Sequence, residues 1–422
     1  MSISVVLILL QVFIVAIFLY FILRNKIDFL LLFFTSFILY HWQIIAGTIW
    51  VPPYEFAASI QSVFVVGIVA TVLIVVTLIN DRVSFNVPMV EFNHRKDRDQ
   101  KNVSLVLIVI SYAATGYAIY SAGDAVFSGN KADFTRSMGL KYDFLYYFPA
   151  GMAFLYGVAT KNRSIVFLSF LPLLFYLLVG YRAIIVTALV GAAVVNLYGQ
   201  PILTFRMAKV ILYAIVGYIF FVLYKFSYIA FKTNSFDWFA TMIEKDARFD
   251  SVWEILLWGM FSAEFGQVAS NLSMSSAIDM SEHYQFSSAF LGSIPGLNSI
   301  LNFNEDMTRF SRAIREHANP GFSYGLGSSF WGEMYQAGSY VGVFMASTIV
   351  IGCIAVFNLS FRRNKEKYTL LLLLFSFLAF YIHRNDFTLV VGYMKNHIIL
   401  LVISYLVLLL LKGKVKIRNY AR

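Results

Sequence analysis

Charge is scarce in this chain: Lys, Arg, Asp and Glu make up 13% of its 422 residues, against about a quarter in a soluble protein of that length. Cysteine is almost absent. The single one, Cys353, has no intramolecular partner, which excludes disulfides and cysteine-based metal sites. Several catalytic signatures are missing too: there is no HExxH, no DxD-type pair in a short outer loop and no P-loop. A metal centre or a nucleotide-hydrolysing site therefore has no sequence support, and no cofactor is expected. The absence of any internal repeat removes the basis for a repeat-built transporter.

What the chain has instead is apolar length. Hydrophobic residues reach 59% and fall in blocks of roughly 17–23, enough to cross a hydrocarbon core of about 30 Å. Such blocks must be helices, because lipid offers the backbone no hydrogen-bond partner. The expected fold class is an all-α polytopic membrane protein with about eleven transmembrane helices. The blocks are Ile3–Leu23, Phe29–Gly47, Val63–Ile79, Val103–Ser121, Phe144–Ala159, Ser164–Gly180, Ala183–Tyr198, Ala208–Tyr228, Ala337–Leu359, Tyr368–Ile382 and Phe387–Leu411. The first lacks a basic start and a small-residue cleavage site, so it is expected to be a retained helix rather than a signal peptide. In the last, Lys395 and His397 either line a cavity or mark a helix that begins later.

The formal charge of +10 is a topology signal, with no nucleic-acid footprint in it. One set of connections, from Arg24 and Lys26 through Arg362–Lys367 to the basic tail, holds twenty of the 33 Lys and Arg with Lys209 at a block edge included; the opposite short loops, with Lys395, hold six. The positive-inside rule then places the C-terminus in the cytoplasm and the N-terminus outside. Residues 1–228 would carry eight spans, 229–336 a large outer loop, and 337–422 three spans and the tail. Within the loop, Trp238, Met242, Phe249, Val252, Trp253, Leu256, Leu257 and Met260 recur at helical spacing, as in a helix lying on the membrane surface. Gly292–Ser299 reads as a turn region.

The densest polar cluster closes that loop: Arg309, Arg312, Arg315, Glu316 and His317, then Gly321, Gly325, Gly327, Ser328, Ser329 and Glu333. If Arg309–His317 is helical, the arginines form one ridge. Guanidinium forks beside a Gly-rich turn suit a phosphate group; the alternative is a solvated face neutralised by Glu305, Asp306 and Glu316. Arg182 stands between two apolar blocks, where it either serves function or snorkels to headgroups. Lys225, near the end of the eighth block, could add charge to the same region or likewise snorkel. Glu333 is a candidate general base and His317 its rival, although each is also a common structural hydrogen-bonding residue.

The layout resembles the Wzy-type O-antigen and capsule repeat-unit polymerases: many spans, a large late outer loop and an arginine at the start of a middle span. Gly180-Tyr181-Arg182-Ala183 is similar to the family's small-x-Arg-small motif. The run Gly325-Leu326-Gly327-Ser328-Ser329-Phe330-Trp331-Gly332-Glu333, followed by Gly338 and Gly342, is similar to its Gly-Ser turn, glutamate and G-x-x-G helix start, with three residues here between the two glycines. Where related ligases have His followed by Asn, this chain has His317-Ala318-Asn319.

The resemblance implies a metal-independent glycosyltransferase. It would move a glycan from undecaprenyl diphosphate to the non-reducing end of another lipid-linked repeat, for O-antigen or capsule synthesis. Arg182, Arg309, Arg312, Arg315 and Lys225 would hold the diphosphate and stabilise its departure, with Glu333 or His317 handling the proton. Expected partners are the lipid-linked oligosaccharides, membrane lipid and, as a candidate, a chain-length regulator protein. Outer-loop aromatics (Trp253, Tyr284, Phe322, Tyr324, Trp331) could stack on sugars, or simply sit at the interface. The rival activities are an O-antigen ligase and a flippase for the same lipid-linked repeat.

Overall fold

A helix satisfies its backbone N–H and C=O groups along its own length, which is what an apolar block in lipid requires. In a computed structural model of the protein, the apolar blocks fall largely in helix, that of Tyr368–Ile382 as a 3-10 turn and a nine-residue helix. The structure describes residues 3–51, 54–85, 98–126, 134, 137, 144–233, 254, 259, 265–282, 284–294, 310–318 and 328–420, without the side chains of 54, 98, 144, 146, 221–233, 315–318, 366 and 411–420. The helices are α1 (Ile3–Arg24), α2 (Phe29–Ala46), α3 (Ile60–Phe85), α4 (Arg98–Ala122), α5 (Phe144–Ala159), α6 (Arg163–Val179) and α7 (Ala183–Leu197). They continue with α8 (Phe205–Thr233), α9 (Gln267–Ala277), α10 (Phe286–Gly292), α11 (Phe310–Ala318), α12 (Phe330–Arg363), α13 (Leu372–Phe380) and α14 (Phe387–Tyr420). Among the described residues, six helices are long and apolar enough to cross a membrane, and four apolar helices are shorter. The chain is a helical membrane protein.

Its residues divide into two compact units. Met1–Val83, Tyr198–Val356 and Leu378–Gly392 form the first; Ser84–Leu197, Phe357–Phe377 and Tyr393–Arg422 form the second.

In the first unit α1 buries Val6, Leu10, Ile14, Ile17 and Phe21, spaced three or four apart, and exposes Ile8, Leu9, Val12 and Val15. An apolar face left open costs nothing when its solvent is lipid. A buried ionic knot ties α1, α2 and α3 together at one end. Arg24 donates to both oxygens of Asp28, at 3.1 and 2.5 Å, and through Nε to Asp81 at 2.6 Å, where Tyr20 also donates at 2.8 Å. Asp28 doubles as the N-cap of α2, accepting from the N–H groups of Leu30 and Leu31. Burial pushes its carboxyl up, but the Arg24 guanidinium outweighs this and holds it below the ordinary range.

At its other end α2 stops on Gly47, whose φ of 87° lies in the left-handed region. A two-stranded antiparallel hairpin follows, β1 (Thr48–Val51) and β2 (Tyr54–Ala57), with Thr48 opposite Ala57 and Val51 opposite Tyr54. The apolar reading of the sequence did not anticipate it. The hairpin and α2 are both packed against α9. That helix is rich in buried polar side chains (Ser270, Asn271, Ser273, Ser275, Ser276), and they find partners: Ser273 Oγ accepts from the Ser59 N–H at 2.8 Å, and Ser276 meets Ser59 Oγ at 2.9 Å.

The sequence places the start of the ninth span at Ala337, yet α12 begins seven residues earlier, at Phe330, and kinks at Gly338–Ser339. Ser339 has φ 52° and ψ −146°, a conformation that strains a side-chain-bearing residue. Before the kink the helix is buried; after it Val341, Phe344, Met345 and Ile349 are exposed while Val343 and Ile351 face inward.

In the second unit α5 is almost wholly buried between α4, α6 and α7. Small residues permit the approach: a Cβ at Gly157 would lie 2.9 Å from the Val166 backbone nitrogen, and one at Gly191 2.3 Å from Ser376 Oγ. Phe377 stacks on Tyr393 with centroids 3.6 Å apart. Helix α14 begins at Phe387 and runs unbroken through Lys395 and His397. His397 is buried, with Nε2 2.8 Å from the Leu370 carbonyl oxygen, so it marks no later helix start.

Candidate functional site

The first unit gathers buried polar groups around the first turn of α12. Ser329 caps that turn, its Oγ accepting from the Gly332 N–H at 3.3 Å. Gly332 then lets α9 pass closely: a Cβ there would lie 2.3 Å from Ser275 Oγ. The next residue is Glu333, fully buried.

Glu333 accepts two hydrogen bonds. Tyr284 Oη donates to Oε1, and the backbone N–H of Phe387 donates to Oε2 at 2.5 Å. The second donor is one of the N–H groups that the start of a helix leaves without an internal partner. Asp386, the residue before it, caps α14 by accepting from the Leu389 N–H at 2.9 Å. Its other oxygen accepts from Ser311 Oγ of α11 at 2.8 Å. Two buried carboxylates thus sit at adjoining helix starts. Among the described residues neither carboxylate is in an ion pair. Burial, then the Glu333 carboxylate, pushes the Tyr284 phenol above its ordinary value, so it stays a donor at neutral pH.

Behind this layer Trp331 donates through Nε1 to His383 Nδ1 at 2.9 Å. That bond leaves the His383 proton on Nε2, facing Ser36 Oγ at 3.2 Å, and Ser36 donates on to the carbonyl oxygens of Phe33 and Ala379. Burial, then His41, holds His383 well below its ordinary value, so the ring is neutral. The chain of bonds fixes the rotation of the turn that carries Glu333.

In front lies a cleft of about 570 Å³, lined by Ser281, Tyr284, Gln285, Phe286, Ser287, Phe290, Gln336 and Ala337. Gln336 is clamped in place, accepting from the Met280 N–H at 3.3 Å and donating to the carbonyl oxygens of Ser275 and, at 2.7 Å, Ile278. Tyr284 is common to the cleft wall and to the Glu333 cluster.

Compared with protein-family models, with characterised proteins and with solved structures, the chain finds no match.

Of the residues singled out from sequence, Glu333 stands at the centre of this cluster. Arg312 lies half-buried on α11, the helix whose Phe310, Ala313 and Ile314 pack with Tyr284 and Met280. The expected helix over the arginine ridge is present from Phe310 to Ala318; the side chains of Arg315 and His317 lie outside those described, and Arg309 outside the described residues. Lys225 falls within α8, its side chain outside those described. Apart from Glu254 and Gly259, the 238–260 surface-helix stretch is likewise outside them. Arg182 belongs to the second unit. It is half-buried in the turn between α6, which ends on Gly180 at φ 107°, and α7, where its carbonyl accepts from the Val186 N–H at 3.0 Å. Tyr181 beside it packs against Tyr147 and Tyr176. Sequence reasoning missed Asp386, Ser311 and His383. The signal for Asp386 was local: an acidic residue one position before an apolar helix start is a cap.

Proposed function

We propose that this protein polymerises lipid-linked sugar repeats in the manner of the Wzy-type polymerases, as an eleven-span protein of the bacterial cytoplasmic membrane with its long 229–336 segment outside. The observation that carries the reading is the buried Glu333, joined through Tyr284 to an open cleft and held at the mouth of a long apolar helix. In the reaction, a hydroxyl at the non-reducing end of one repeat attacks the anomeric carbon of another. The bond from that carbon to diphosphate breaks, and undecaprenyl diphosphate leaves. The hydroxyl proton passes to Tyr284 as Tyr284 gives its own to Glu333. Arg182, Arg309, Arg312, Arg315 and Lys225 supply positive charge for the departing diphosphate. His317 is the alternative base. The leaving group is already activated, so the scheme calls for no nucleotide, metal or cofactor.

The test is a gel of surface glycan from a strain lacking the gene, complemented with wild type, Glu333→Gln or His317→Ala. The expected result is a ladder that collapses to core plus one repeat, rescued by wild type and His317→Ala but not by Glu333→Gln. Loss of all glycan bands with long lipid-linked polymer left outside would make the protein a ligase. Repeats trapped in the cytoplasm would make it a flippase, and an unchanged ladder would remove it from the pathway.

A further inference from the structure

We propose that the cleft beside Tyr284 is a subsite for an uncharged saccharide, the acceptor end of the lipid-linked repeat; this rests on the polymerase reading and gives that site its ligand class. At about 570 Å³ the cleft falls within the roughly 300–1,000 Å³ of small-molecule sites.

The composition of its wall selects among ligands. Among the described residues, no charged side chain lines it. A diphosphate would find no guanidinium fork among these lining residues, and an acidic sugar would bring its charge toward the buried carboxylates of Glu333 and Asp386. A lipid tail is also a poor fit, because it would cover the hydrogen-bonding groups of Ser281, Gln285 and Ser287 without replacing the water they lose. A neutral sugar meets both demands, offering hydroxyls to the amides and serines and an apolar C–H face to an aromatic ring.

The ring is provided and held. Phe290 is half exposed, yet it stacks on Phe387 with centroids 6.0 Å apart, and Phe286 meets the same ring edge-on at 5.0 Å. Phe387 is also the residue whose N–H grips Glu333. The sugar platform and the carboxylate therefore share one anchor, and Tyr284 closes the path between them.

The experiment uses the full-length protein in cells that make the glycan, with p-benzoylphenylalanine in place of Phe290 or, as a control, of the exposed Val341 beyond the α12 kink. After irradiation, the expected result is glycan covalently captured at position 290, absent at 341 and absent in cells that make no lipid-linked repeat. Capture of phospholipid alone at 290, no capture from inserted protein, or equal glycan capture at both positions would overturn the proposal. Phe290→Ala and Gln285→Ala guard against a disturbance by the bulky probe. Each should raise the concentration of lipid-linked repeat needed for half-maximal elongation at unchanged protein level, and wild-type dependence in both would also overturn it. The polymerase reading fails separately, on an unchanged ladder in the deletion strain, whatever position 290 captures.

Discussion

Two glycines four residues apart in α12 should respond to alanine in opposite ways. At Gly342 an added Cβ would stand 2.4 Å from the carbonyl oxygen of Met334, and real Cβ atoms essentially never come closer than 3.0 Å, so the carbonyl must retreat by about 0.6 Å. That oxygen is backbone, belonging to the residue after Glu333, and cannot swing aside as a flexible side chain would. Forcing an extra methyl into such a place costs about 1–3 kcal/mol. At Gly338 the added Cβ would meet nothing within 4 Å, and φ is −162°; there alanine should cost less than about 1 kcal/mol, because it also restricts the unfolded chain. Gly342→Ala should therefore melt earlier than wild type in detergent, followed by tryptophan fluorescence, while Gly338→Ala stays close to wild type. Activity should divide the same way, since misplacing a reacting group by about 1 Å can cost on the order of 10²-fold in rate. The reasoning fails if Gly342→Ala melts and polymerises like wild type, or if Gly338→Ala proves the more damaging of the two.

Other substitutions probe the remaining features. Arg24→Ala leaves Asp28 buried without its cation and should cost about 3–5 kcal/mol, read as a lower melting temperature. Because Arg24 holds Asp28 below its ordinary 3.8, wild type should keep that stability above this pH and lose it as pH falls through the lower folded value. A series of melts at falling pH should show this acid loss in wild type and not in Arg24→Ala. Glu333→Gln and Tyr284→Phe should each slow elongation by about 10²–10⁴-fold if proton transfer is their contribution, measured on lipid-linked repeats with protein matched for insertion. Arg182→Lys keeps the charge but loses the planar fork, so the glycan ladder should shorten; a ladder of wild-type length would remove Arg182 from the site. Trp331→Phe deprives His383 Nδ1 of its donor and should lower stability by about 1–3 kcal/mol, visible as earlier thermal unfolding.

The long apolar blocks were legible because their signal is local: each covers its own backbone, so composition over some twenty residues is enough. The turn at Gly180–Arg182 was legible for the same reason, and Glu333 stood out as the lone carboxylate leading into a span. The partners of Glu333 were not. Tyr284 lies 49 residues away and Phe387 54, and Ser311 reaches Asp386 over 75; no periodicity links positions so distant. The hairpin was lost in the connection between two blocks, since Thr48–Val51 and Tyr54–Ala57 are only four residues each, too short for alternation to stand out. The early start of α12 was hidden because Trp331 and Glu333 look like loop residues until the cap at Ser329 is seen.

Synthesis of the chain imposes a waiting time on one of its bonds. The Ser59 N–H, at the mouth of α3, donates to Ser273, 214 residues further on. At about 5–20 residues per second the ribosome needs on the order of 10–40 s to deliver that acceptor. For that interval the entrance of α3 must keep water or a borrowed partner, although the helix itself is already made. Helix α9, with its polar flank, is too wet to enter lipid by itself and too late to be a guide for what precedes it. It is a closing piece, slotted against helices inserted well before it, and an arrest of translation before residue 273 should leave the N-terminal hairpin and the α3 entrance protease-sensitive in an otherwise inserted chain.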